Sequence, residues 1–140
     1  MRAGSSADVD AVTAVNAMLY EAFETADVET MSAVWDDVDP DAVVCVHPGW
    51  PALRGRTQVL RSWSAVMATT EYVQFVLSDV QVSIEGDTAV VSCTENVLTS
   101  VTDMNGGTVV ATNVFRRRPG GWRMTVHHGS PVLGELEVEE

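Results

Sequence analysis

The residues best suited to chemistry follow one short apolar run. The apolar run Val44–Val46 is followed by His47, then by a Pro48-Gly49 turn and by Trp50. An imidazole with an ordinary pKa near 6.5 can accept a proton at neutral pH. We therefore predict His47 as a candidate general base. Two other roles are compatible with the sequence, namely lining a pocket without catalysis and bonding a nearby backbone carbonyl as a structural residue.

Polar residues on the two strands expected around residues 88–99 and 108–118 are further candidates. If their hairpin centres between Asn105 and Gly106, Asn96 and Asn113 share a face, and Glu95 lies on the other. A shift of one residue places Glu95 with Asn113 instead. A buried glutamate beside a histidine would form an acid–base pair, and either asparagine could donate to a developing oxyanion. The alternative for Glu95 is a surface ion pair with Arg116, which lies opposite it in the first of these registers.

Two adjacent histidines lie near the end of the last predicted strand. Neighbouring residues of a strand point to opposite faces, so only one of His127 and His128 can face the interior. Strict alternation groups His128 with Trp122, Met124 and Val126, the more apolar face. We therefore expect His128 inside, unless a bulge intervenes, where it would orient the base or act as an acid. A histidine serving only the core is the alternative.

Tryptophans from three different elements could supply an aromatic wall. Trp35, Trp50 and Trp63 are expected near the mouth and floor of one cavity, and Trp50 stands in an exposed turn. Such a wall suits a flat apolar ligand, so the expected partner is a small apolar or aromatic molecule. The alternative is that the tryptophans belong to the core.

Composition narrows the function classes. The chain has 140 residues and a net charge of −12, and all eight basic residues are arginines, so a phosphate backbone is an unfavourable partner. No apolar run reaches the roughly 20 residues that a membrane helix needs, and residues 1–6 lack the apolar stretch of a signal peptide. We therefore expect a cytoplasmic protein that binds neither nucleic acid nor membranes.

Metal and nucleotide motifs are missing from the sequence. It has no HxxxH or CxxC spacing, and no glycine-rich phosphate loop. The expectation is a protein without metal or cofactor.

The elements that position these residues follow from hydrophobic periodicity. Ser5 and Asp8 form a capping box before a helix at about 7–24, and Asp27 can cap a second helix. A strand at 41–47, a helix at 57–68 and strands at 72–84, 88–99, 108–118 and 122–128 complete the order α-α-β-α-β-β-β-β. This order predicts an α+β cone-shaped barrel in which the N-terminal helices pack in a strongly curved antiparallel sheet. One domain at 7–131 is expected, with a disordered stretch at 1–6 and an acidic tail at 132–140.

Several segments carry a resemblance to a known superfamily. They are residues 47–49 leading into 53–56, residues 89–96, residues 111–116, and residues 121–124 followed by 127–131. Over roughly residues 8–131 the chain resembles the SnoaL-like, nuclear transport factor 2-like (NTF2-like) proteins, which include ketosteroid isomerases, polyketide cyclases and scytalone dehydratases.

The resemblance implies the cone-shaped fold, a cofactor-independent pocket and a homodimer formed through the outer face of the sheet. In ketosteroid isomerases a carboxylate base stands at the strand end that matches His47, so this chain departs from that family at the base position. For the tyrosine of that family's Tyr–Asp oxyanion pair, Tyr20 on the first helix is a candidate.

Two functions are therefore expected. The first is an isomerase, dehydratase or cyclase that abstracts a proton next to a carbonyl of a neutral apolar substrate. The second is a non-catalytic module for ligand binding or dimerisation.

Overall fold

The computed structural model describes residues 4–99 and 107–134 of the chain. The elements are α1 (Ser6–Thr25), α2 (Val28–Val34), a 3₁₀ turn (Pro40–Ala42), β1 (Val44–Val46), β2 (Leu53–Arg54), α3 (Arg56–Thr69), β3 (Gln74–Glu85), β4 (Thr88–Leu98), β5 (Thr108–Arg118) and β6 (Gly121–Pro131). The α+β class is confirmed. The short strand β2 is an addition to the predicted order.

Side-chain caps start the first two helices where the sequence predicts them. The Ser5 hydroxyl accepts a hydrogen bond from the Asp8 N–H at 3.1 Å, and the Asp8 carboxylate accepts one from the Ser5 N–H. Asp27 caps α2 by accepting the N–H of Thr30. These bonds satisfy N–H groups that have no partner inside the helix.

The six strands form one mixed sheet in the order β2-β1-β6-β5-β4-β3. Strands β3 to β6 run as an antiparallel meander, whereas β1 pairs with β6 in parallel. The direction of β1 is not set by a hairpin, because β1 and β6 lie far apart in the chain. The sheet stays open and curls around α1, which contacts β3, β4 and β6. The cavity described below lies inside this cone.

The pairing of β4 with β5 settles the register that the sequence left open. Glu95 pairs with Val109, and Val91 pairs with Asn113. Glu95 and Asn113 are both buried on the inner face. The alternative in which these two share a face is therefore correct. The turn predicted at Asn105-Gly106 lies outside the described residues.

A β-bulge interrupts the pairing of β5 with β6. Phe115 pairs with Met124, whereas the neighbouring Val114 pairs with Val126. Thr125 is therefore one extra residue on β6, and the alternation of side chains reverses beyond it.

The bulge decides which of the two histidines faces inward. His127 is 3% exposed and lies in the interior, whereas His128 is exposed on the outer face. The prediction that His128 faces the interior is therefore wrong. It assumed unbroken alternation along β6, and one inserted residue exchanges the faces of everything that follows.

The core fills the cone between α1, α2, α3 and the sheet. Its largest fully buried side chains include Leu19, Met31, Trp35, Phe115 and Met124. An ion pair joins the segment after α2 to the end of β5, where the fully buried Asp36 carboxylate accepts two hydrogen bonds from Arg118, at 2.8 and 2.9 Å. The bounds predicted for the domain and its termini stay predictions, since residues 1–3 and 135–140 lie outside the described part.

Candidate functional site

A cavity of about 290 Å³ lies between α1, α3 and the inner face of the sheet. Phe23 packs against Trp63 and against Phe75, with ring centroids 5.4 and 5.3 Å apart, and Tyr20 lies 5.1 Å from Phe75. These four rings line one side of the cavity. Its volume is near the lower end of the range for small-molecule sites, and its aromatic wall is typical of them.

His47 stands at the end of β1, where Pro48 turns the chain away and leaves the imidazole at the cavity. Its Nε2 lies 2.9 Å from the Ser62 hydroxyl, which itself donates to the backbone carbonyl of Val59. A hydroxyl has one hydrogen, so in this arrangement His47 Nε2 must donate and Nδ1 carries the lone pair. Burial lowers the pKa of His47 to about 4, so the ring is neutral at pH 7.

Two indoles hold the His47 ring in place. The rings of Trp63 and Trp50 meet it edge-on, with centroids 4.7 and 4.9 Å away. Trp63 also lines the cavity, whereas Trp50 is 45% exposed and packs behind His47 without lining it. The predicted aromatic wall therefore includes Trp63 but not Trp50.

Glu95 faces the same cavity from β4. The Tyr20 hydroxyl donates a hydrogen bond of 2.7 Å to Glu95 Oε2. Burial raises the pKa of Glu95 to about 7, although the Tyr20 hydrogen bond opposes the shift. A carboxyl that titrates near neutral pH can either give or take a proton.

A hydrogen-bond network fixes His127 and Tyr20 from behind. Because the single Tyr20 hydrogen goes to Glu95, the phenol oxygen must accept, and Asn113 Nδ2 donates to it at 3.2 Å. The same amide nitrogen donates to Asn16 Oδ1 at 2.8 Å. Asn113 Oδ1 therefore faces His127 Nδ1, 2.6 Å away, as an acceptor. The arrangement makes Nδ1 the protonated nitrogen of His127.

His127 is neutral at pH 7. Burial, together with the nearby His47 and His128, lowers its pKa to about 3. Burial also raises the pKa of Tyr20, with the Glu95 charge adding to the effect, so the phenol keeps its proton.

Of the residues predicted for the site, His47, Glu95, Tyr20 and Trp63 line the cavity. Asn113 lies directly behind it, with both of its N–H groups already bonded, so it has none left for an oxyanion.

Three predicted residues lie elsewhere. Trp35 is buried at the end of α2 and bridges to Met124. Asn96 binds the backbone of Val76 on the neighbouring strand, because in the observed register it alternates with the inward Glu95. His128 is the third, and it lies on the outer face because of the bulge at Thr125.

Sequence reasoning missed part of the site. The structure adds His127 as a cavity residue, Ser62 as the partner of His47, and Asn16 as the anchor of the network. One signal was available, since Asn16 is a polar residue on the otherwise apolar face of α1 that carries Val12 and Leu19.

Within residues 4–99 and 107–134, no group of three or more His, Cys, Asp or Glu side chains is placed to hold a metal ion. In the same part of the chain, every helix is too short or too polar to cross a membrane.

Comparison with known proteins places the chain in a family. Residues 12–134 match the model of the SnoaL-like domain. A candidate dehydratase of the NTF2-like family from Streptomyces avermitilis is 53% identical, with a TM-score of 0.84 over 91% of this chain and 98% of that one. A candidate calcium/calmodulin-dependent protein kinase type II association domain from Thiobacillus denitrificans is 30% identical, with a TM-score of 0.79 over 86% of this chain and 94% of that one.

A curated relative is similar over a shorter share of its own length. The F-box protein SKIP8 of Arabidopsis thaliana is 26% identical over 123 residues, which are 88% of this chain. The chain spans about half the length of that protein. With the fold and the matched region together, this chain belongs to the SnoaL-like family of the NTF2-like superfamily.

Proposed function

We propose that the protein is a cofactor-independent isomerase or dehydratase that moves a proton next to the carbonyl of a neutral, largely apolar small molecule. The observation that carries the proposal is the convergence of a neutral imidazole and a buried carboxyl on one apolar cavity. His47 offers a lone pair at Nδ1, and Glu95 offers a proton with a pKa of about 7. These are the two groups that such a proton transfer needs.

The roles follow from the protonation states. His47 Nδ1 takes the proton from the carbon next to the carbonyl, and the electrons of that C–H bond form the C=C bond of an enol. Protonated Glu95 gives its proton to the carbonyl oxygen. In an isomerase, His47 returns its proton to a carbon further along the conjugated enol, and the Glu95 carboxylate takes back the hydroxyl proton, so that the C=O bond re-forms. In a dehydratase, the acid protonates a β-hydroxyl group instead, the C–O bond breaks, and water leaves.

The same geometry favours a neutral substrate. No arginine lines the cavity among the described residues, and the net charge of the chain is −12. An anionic ligand would therefore lose its hydration without gaining a cationic partner. The rings of Phe23, Trp63 and Phe75 instead offer flat apolar surface.

Deuterium exchange tests this proposal before the natural substrate is identified. A panel of cyclic ketones, among them 1-tetralone, 2-tetralone and cyclohexanone, is incubated with the protein in D₂O. Loss of the signal from the hydrogens next to the carbonyl is followed by ¹H NMR. We expect exchange above the buffer rate for the bicyclic ketones, reduced about 100-fold or more in His47→Gln.

The matched control is His128→Gln, which changes an exposed histidine on the outer face of the sheet. It should exchange at the wild-type rate. Exchange at the buffer rate for every ketone would contradict the proposal, as would wild-type exchange by His47→Gln.

A second candidate function is a non-catalytic dimerisation or ligand-binding module, with a homodimer through the outer face of the sheet. The outward positions on β4, β5 and β6 support it, because in this acidic chain none of them is Asp or Glu. Two arginines, Arg116 and Arg123, pair with each other near one end of this face. The remaining outward positions include Val90, Ser92, Thr94, Asn96, Thr108, Val110, Thr112, Val114, Val126, His128 and Ser130. Depletion of charge is typical of the centre of an interface.

The similarity to the candidate association domain also favours this module. Light scattering coupled to size-exclusion chromatography should give about 30 kDa, twice the chain mass of 15.1 kDa. A dimer without ketone exchange would favour the module over the enzyme. A mass of 15.1 kDa would contradict the dimer.

A further inference from the structure

His127 has no part in the proton transfer proposed above, yet it lines the same cavity. Its side chain comes from β6 and is only 3% exposed. Its Nδ1 is bonded to Asn113, and its Nε2 has no hydrogen-bond partner among the described residues. Because His127 lines the cavity and Asn113 engages its Nδ1, Nε2 is the ring nitrogen left for a ligand atom.

The network behind the ring determines what Nε2 can bind. Asn113 uses both hydrogens of its amide, on Asn16 and on Tyr20, and so presents only its oxygen to His127. That oxygen fixes the proton of the neutral imidazole on Nδ1. Nε2 is then an acceptor and cannot donate. A carbonyl oxygen placed against it would meet a second acceptor, so the group that binds there must carry a hydrogen.

We infer that His127 Nε2 accepts a hydrogen bond from a hydroxyl group of the ligand, so that the substrate class is a hydroxylated cyclic compound, a phenol or an alcohol. The inference deepens the proposed function and rests on its assumption that this cavity binds the substrate. A hydroxyl has one hydrogen, which Nε2 alone satisfies, whereas an ammonium group would bring several N–H donors to a single acceptor.

The preference should be measurable as a ratio of affinities. A ligand without the hydroxyl would cover Nε2 and leave it without a partner. Leaving a buried acceptor unsatisfied costs enough to reduce affinity by about tenfold. Asn113 acts here as a positioning residue, since it does not contact the ligand but holds the His127 ring and its proton in place.

The test compares 2-naphthol with 2-methoxynaphthalene, which has the same ring system but no hydroxyl hydrogen. Isothermal titration calorimetry should give about tenfold tighter binding of 2-naphthol to the wild-type protein. His127→Phe keeps a ring of similar size and removes Nε2, so the two probes should then bind equally. His128→Phe, on the outer face, should keep the wild-type ratio.

A second measurement uses the unaltered protein. In a long-range ¹H–¹⁵N spectrum of histidine-labelled protein, Nδ1 of His127 should appear protonated and Nε2 unprotonated. Addition of 2-naphthol should shift the Nε2 signal, and 2-methoxynaphthalene should not. Equal affinities in the wild type, no binding of 2-naphthol, a ratio that survives in His127→Phe, or a protonated Nε2 would each overturn the inference.

The probes carry no ketone, so the two proposals fail separately. A protein that prefers 2-naphthol but exchanges no ketone hydrogens would keep this inference and lose the proposed reaction. A protein that exchanges ketone hydrogens and binds both probes equally would do the reverse.

Discussion

Replacing Glu95 by Gln should remove the loss of stability that the wild-type protein undergoes as the pH rises. Burial raises the pKa of this carboxyl from its ordinary value of 4.5 to about 7. Between these two values the folded chain holds the proton that the unfolded chain has released, so the free energy of unfolding falls as the pH rises from 4.5 through 7. Above pH 7 the folded protein carries a buried carboxylate.

The magnitude follows from the same two values. Each pKa unit corresponds to about 1.4 kcal/mol, so the buried charge costs about 3 kcal/mol once both states are ionised. Glu95→Gln keeps the shape and an oxygen that can accept from Tyr20, but it does not ionise. Its stability relative to wild type should therefore be about 2 to 3 kcal/mol more favourable at pH 8 than at pH 5.

Urea unfolding of both proteins at pH 5 and pH 8, followed by circular dichroism, measures this difference. The matched control is Glu85→Gln, at the exposed end of β3, whose stability relative to wild type should be the same at both pH values. The reasoning is refuted if the stability difference between Glu95→Gln and wild type is also unchanged between pH 5 and pH 8. Such a result would mean that the Glu95 carboxyl titrates as it does in the unfolded chain.

Three further predictions concern the core and the surface. Arg118→Ala leaves the buried Asp36 carboxylate without its cationic partner and should lower the free energy of unfolding by about 3 kcal/mol in urea titrations, whereas Arg116→Ala, at an exposed position, should change it by less than about 0.5 kcal/mol. Val110→Asp places a charge on the outer sheet face, where the valine is 48% exposed, and light scattering should then report a monomer. The two buried cysteine thiols should resist DTNB in the folded protein and react after unfolding in urea, because burial raises the pKa of Cys45 to about 12 and shifts that of Cys93 upward as well.

Local sequence signals were enough to predict most of the helices and strands of this fold. The capping box at Ser5 and the cap at Asp27 mark the two helix starts, and β5 occupies the predicted range of 108–118. These features depend on residues that are near one another in the chain. The strand β2 has only two residues, which is too short to show a periodic pattern, so it was not predicted.

The site was harder to predict because it depends on pairings between distant strands. One inserted residue, Thr125, exchanged the faces of His127 and His128. The position of Glu95 depended on the β4–β5 register, which the sequence left open between two alternatives. Contacts such as that of Asn16 with Asn113 join residues 97 positions apart, and no local pattern indicates them.

The most direct test of the central claim is the pH dependence of ketone exchange in D₂O. The proposed base works only when His47 is neutral, above a pKa of about 4, and the proposed acid only while Glu95 is protonated, below a pKa of about 7. The account predicts a bell-shaped rate with its maximum between these values, in which Glu95→Gln removes the fall at high pH and lowers the maximum. A rate that rises steadily with pH, as for exchange by hydroxide in buffer, would contradict an acid–base pair in this cavity.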